Sequence, residues 1–71
     1  MRKFAVTYMD SNRVGTYSLE AESYKDAARY IAKILNYDTK CIREVSSFTE
    51  DKKLCIVVQD KLCGSTRKYI V

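Results

Sequence analysis

The sequence predicts an α+β fold of order ββαβββ, an antiparallel sheet of four or five strands with one helix packed on one face. Three observations predict it. Aromatic and branched residues alternate with period two near the start, an amphipathic stripe at helical spacing follows, and short apolar runs divided by turn residues fill the remainder. At 71 residues the chain suits a single small α+β domain over 1–71, because so short a chain cannot stabilise two cores.

From Lys3 to Met9, Phe4, Val6 and Tyr8 alternate with Lys3, Ala5 and Thr7, the pattern of a half-buried strand. Asp10-Ser11-Asn12-Arg13 turns the chain. Val14 to Ala21 alternates again, with Gly15, Tyr17, Leu19 and Ala21 on one face and Val14, Thr16, Ser18 and Glu20 on the other, so the two segments read as a hairpin. Ser23, with Asp26 three residues later, is a variant of the helix-start box and sets a helix from about Ser23 to Asn36. Tyr24, Ala27, Ala28, Ile31, Ile34 and Leu35 recur at three- and four-residue intervals and form its core stripe. Asn36 to Lys40 carries Asn, Asp and Thr, whose side chains compete with helical hydrogen bonds and end the helix.

Cys41 to Phe48 is the third strand candidate, and Thr49-Glu50-Asp51-Lys52 is a polar link to a fourth over Lys53 to Gln59. Leu54-Cys55-Ile56-Val57-Val58 is apolar on both faces, which suits a central strand rather than an edge. Asp60 to Ser65, with Gly64, reads as a turn, and Thr66 to Val71 closes the sheet. No Pro, internal repeat or low-complexity stretch interrupts this order.

Composition narrows the function classes. Apolar residues at 46% and charged residues at 31% are globular proportions, unlike those of a disordered tail or a collagen-like chain. With no His and no Trp, the commonest general base and metal ligand are missing; no nucleophile–base pairing stands out, so neither an enzyme nor a cofactor is expected. Cys41, Cys55 and Cys63 have no C-x-x-C spacing, and a structural zinc site wants four N or S ligands where this chain has three sulfurs. They read as reduced, structural thiols of a cytoplasmic protein, with no positively charged apolar leader ahead of them. Apolar runs are far shorter than the roughly 20 residues of a membrane span.

Two surfaces are candidates for binding. With one helix to cover one sheet face, Val14, Cys55 and Val57 fall on a face left open, and an open apolar face is a docking surface or a dimer interface. Six tyrosines favour binding over catalysis, and the expectation is protein binding through the open sheet face or an edge strand, with Tyr17, Tyr69, Val14 and Val57 as the protein-binding residues. A domain this small is marginal alone, so a homodimer or a partner-dependent assembly is expected. The alternative is nucleic-acid binding by Lys25, Arg29 and Lys33, which fall at i, i+4 and i+8 on the outer helix face, flanked by Tyr30 and Tyr37. Thirteen Lys and Arg against nine Asp and Glu, a net +4, pull only mildly toward anions. Cys63-Gly64-Ser65-Thr66-Arg67-Lys68 lacks the spacing of a phosphate loop and reads as a hairpin turn, and Glu20 with Glu22 reads as solubilising surface.

Phe4-Ala5-Val6-Thr7-Tyr8, then Gly15 to Ser23, then Asp26-Ala27-Ala28, resemble the ββα opening of many small bacteriophage and prokaryotic accessory proteins. The resemblance covers about half the chain. It implies a short, cofactor-free protein that acts by occupying another macromolecule, in the manner of phage host-takeover and anti-defence inhibitors. A similar hairpin and helix opens a family of small archaeal large-subunit ribosomal proteins, whose chains are far more basic.

Overall fold

A computed structural model describes residues 1–49 and 53–71 of the chain. The first hairpin joins β1 (Arg2–Met9) to β2 (Val14–Ala21), and the helix α1 (Tyr24–Ile34) follows. After a 3₁₀ turn at Thr39–Cys41 come β3 (Arg43–Val45), β4 (Cys55–Asp60) and β5 (Thr66–Ile70). Among the described residues, five strands pair antiparallel in one sheet of order β2-β1-β4-β5-β3. The apolar β4 sits between β1 and β5, where its two-sided hydrophobicity is used. The polar link expected at Thr49-Glu50-Asp51-Lys52 lies outside the described residues from Glu50 onward.

Register decides which side chains share a face. Val6 is opposite Tyr17 on one side and Val58 on the other, and Ile56 is opposite Tyr69. These residues, with Phe4, Tyr8, Leu19 and Asp60, therefore occupy the face that α1 covers. Ala27, Ala28, Ile31, Ala32 and Leu35 of the helix segment complete that core with Ile42 and Leu54. The opposite face presents Thr7, Met9, Val14, Thr16, Val57 and Lys68, among others.

The helix begins as its sequence requires: Ser23 is the N-cap, and its hydroxyl accepts the Asp26 amide at 3.2 Å. It ends in a Schellman arrangement, with Asn36 left-handed at φ 65°, its amide on the Lys33 carbonyl and the Tyr37 amide on that of Ala32. The core stripe needs one correction. Ala32 is buried while Ile34 is 42% exposed, so the contact face is rotated from the expected centre toward the Ala28–Ala32 side.

The third strand is also shorter than its sequence pattern. Of Cys41 to Phe48 only Arg43–Val45 pairs, with β5. Asp38 accepts the Lys40 amide at 2.9 Å and draws Thr39–Cys41 into a 3₁₀ turn, so local side-chain bonding displaces the strand's beginning.

Candidate interaction surface

The expected protein-binding residues divide between the two faces of the sheet. Val14 and Val57 lie on the face away from the helix, Val14 being 72% exposed. Tyr69 faces the helix and is 3% exposed, and burial raises the pKa of its phenol. The expectation that it anchors a partner is corrected: the pairing Ile56–Tyr69 turns its ring into the core. Tyr17 also lies on the helix side, but on the outermost strand, where it stays 37% exposed and stacks on Tyr8 with ring centroids 5.8 Å apart.

Cys55 is not part of an uncovered patch either, being buried on the open side next to the buried Ile70. The Lys68 ammonium lies 5.8 Å from the centroid of the Phe48 ring, so the chain after β3 passes over this end of the open face. Uncovered apolar surface remains on the β2–β1 side of the same face, where Met9, itself opposite Cys55, and Val14 are direct cross-strand neighbours and both well exposed. Thr7 and Thr16 form the next row, then Ala5 and Ser18, then Lys3 and Glu20. Lys61 donates to the Ser18 hydroxyl at 2.8 Å. The face thus grades from an apolar end through a hydroxyl belt to a charged end in which lysines outnumber carboxylates.

On the helix, Lys25, Arg29 and Lys33 are all exposed, and so is Tyr30. Arg29 shares an ion pair of 3.7 Å with Asp26. Tyr37 does not join this row. The left-handed turn at Asn36 carries it off the helix, and its hydroxyl donates to Asp10 at 2.7 Å, which corrects its expected place beside the cations.

Three side chains not nominated from the sequence organise the ends of the sheet. Asp10 accepts the amides of Asn12 and Arg13 at 2.8 and 2.7 Å besides the Tyr37 hydroxyl; that hydroxyl first, then the Asn12 amide, lower its pKa to about 2. Asp60, buried at the end of β4, accepts the Leu62 amide at 2.8 Å and a charge-assisted bond from Arg2. The Leu62 amide is the larger cause of its lowered pKa. Asp at the head of each turn was the available signal, since its short side chain bonds backbone amides two residues on.

Cys63 is the third. It is exposed, as is Cys41, whereas Cys55 is buried; none of the three forms a disulfide. The Ser65 hydroxyl and amide, with help from the Tyr24 hydroxyl, hold the Cys63 thiol below its ordinary pKa. The Tyr24 ring is flanked by the guanidinium groups of Arg2 and Arg67, at 5.1 and 5.5 Å from its centroid. No spacing rule could have found this cluster, because it joins residues from four segments. A groove of about 390 Å³ beside it runs between Met1, Arg2 and Lys3 and the turn of Asp60, Lys61 and Leu62, at the end of the β1/β4 pair opposite Met9.

No family model matches the chain, and neither a curated protein nor a solved structure matches it. Among the described residues, no helix is long and apolar enough to cross a membrane.

Proposed function

We propose that this chain is a non-enzymatic binding protein that docks on a partner protein through the open face of its sheet, as an inhibitor or modulator of the phage accessory type. The observation that carries this reading is the exposed Met9–Val14 pair on a face that α1 does not cover. Exposed apolar side chains grouped on a flat sheet face lose water-facing area when a complementary surface seats on them. Lys3 and Lys61 toward the other end favour a partner whose apolar contact is bordered by carboxylates. A cytoplasmic setting belongs to the same reading, favoured by three cysteines that form no disulfide.

Nucleic-acid binding by the helix is the weaker reading, since Tyr37 is bonded elsewhere and Asp26 offsets Arg29. Affinity capture with the wild type, Met9→Asp, and Arg29→Glu/Lys33→Glu, each confirmed folded by circular dichroism and each run with and without nuclease, separates the two. The expected result is a protein retained by the wild type and the helix variant and lost with Met9→Asp. Retention that disappears with nuclease or with the helix reversals overturns the proposal.

A further inference from the structure

The sheet has two edges of very different length. β3 offers three residues, whereas β2 offers eight in unbroken register with β1 and without a bulge. Long open edges are templates for another strand, and proteins usually blunt them with Pro, Lys or a bulge. Val14–Ala21 has none of these, and its one charge is Glu20.

The phase of the ladder identifies which backbone groups face out. The Asp10 amide donates to the Arg13 carbonyl at 2.9 Å, making these a hydrogen-bonded pair, and the Lys61 amide donates to Lys3, so the odd residues of β1 bond toward β4. Antiparallel pairs alternate between bonded and non-bonded. Tyr8–Gly15, Val6–Tyr17 and Phe4–Leu19 are thus the bonded pairs of β1 and β2, and Val14, Thr16, Ser18 and Glu20 aim their amides and carbonyls away from the sheet.

We propose that two copies of this chain join antiparallel through their β2 edges about a two-fold axis at Tyr17, forming one continuous sheet. This goes beyond the open-face reading and does not depend on it. The edge is self-complementary in that register: Val14 falls opposite Glu20 of the second copy and Thr16 opposite Ser18, each pairing occurring twice, so every outward group of the strand is used. Shifting the axis to Thr16 or Ser18 leaves one outward pair unmade. The shift to Ser18 also brings together the two lysines that Lys61 contributes at Ser18.

Side chains fit the same axis. Tyr17 meets its own copy in the closely spaced, non-bonded type of pair, so the Tyr8–Tyr17 stack continues across the junction. Leu19 of one copy covers Gly15 of the other, the residue that has no side chain because the Tyr8 ring occupies its place. Glu20 meets a valine, so no like charges are opposed.

Sedimentation equilibrium of the full chain over a range of concentrations, alone, tests it: a dimer that dissociates on dilution is expected. Ser18→Pro removes an amide that β1 does not use, and is expected to give a folded monomer. In a Cys41→Ser/Cys63→Ser background, Tyr17→Cys is expected to form a disulfide-linked dimer under mild oxidation, and Leu19→Cys is not; this pair decides the register even where Ser18→Pro fails to fold. A chain that stays monomeric at every concentration, a dimer that survives a folded Ser18→Pro, or cross-linking through Leu19→Cys in place of Tyr17→Cys overturns the proposal.

Discussion

The Tyr37 hydroxyl donates to Asp10 Oδ2 at 2.7 Å, fastening the residue that follows the helix's left-handed stop to the turn of the first hairpin. Arg13 reinforces the joint, reaching Asp10 at 3.2 Å and the Leu35 carbonyl at 3.4 Å. Helix end and hairpin turn are thereby held in one position, although 27 residues of chain separate the two bonded side chains.

This joint makes stability depend on acid. The folded pKa of Asp10, about 2, lies below its ordinary 3.8, so folding favours the carboxylate. The contribution is complete above the ordinary pKa and is lost as pH falls from there through about 2. Urea unfolding between pH 2 and pH 7 is expected to show stability falling on the acid side, with a shallower fall for Tyr37→Phe. An unchanged acid profile in both Tyr37→Phe and Asp10→Asn would remove the joint from the account.

Removing the helix cap has a predictable size. Ser23→Ala deletes the acceptor for the Asp26 amide and is expected to lower stability by about 1 kcal/mol with the denaturant slope unchanged. Chemical denaturation reads both quantities. Asn36→Val, which forces a branched side chain into a left-handed backbone, is expected to destabilise as well, whereas Asn36→Gly should not.

Gly15 is required by contact rather than by backbone angle. A Cβ there would lie 2.5 Å from the Tyr8 hydroxyl oxygen, with two ring carbons at 2.7 and 2.8 Å. Gly15→Ala is expected to cost roughly 1–3 kcal/mol through overpacking. Adding Tyr8→Phe should recover only part of that, because the ring carbons stay in place; full recovery in thermal melts would show that the hydroxyl alone is the obstacle.

Tyr69 belongs to the folding core. Tyr69→Ala is expected to destabilise by about 3–5 kcal/mol, as for other large buried aromatics, while Val14→Ala, on the exposed face, changes stability little. Parallel melts of the two variants check this.

Thiol reactivity should divide the cysteines. Cys63, exposed and held toward its thiolate, is expected to alkylate first near neutral pH, and Cys55 to react only as the protein opens. Peptide mass spectrometry after timed iodoacetamide treatment gives the order. Ser65→Ala should slow Cys63, because it deletes the largest cause of the lowered pKa.

What could be read from the sequence was whatever neighbours in the chain decide. Alternation over Val14–Ala21 placed β2 with both ends correct, Ser23 with Asp26 located the helix start, and the two-sided apolar run through Leu54–Val58 marked a central strand. Each rests on a local cause: the pleat, an orphan amide, or burial on both faces. The third strand's true length was legible in part, since Asp38 stands where an Asx-type turn begins. Alternation sorts a strand's side chains into two faces but attaches no sign to either. That Tyr69 turns inward while Val57 turns outward follows from the pairing Ile56–Tyr69 and from the side on which the helix lies. Tyr37 leaving the helix row for Asp10, and Tyr24 gathering Arg2, Arg67 and Cys63, depend likewise on segments far apart in the chain. Such meetings are set by the packing of one element on another, a long-range balance of burial and hydrogen bonding that no window of adjacent residues contains.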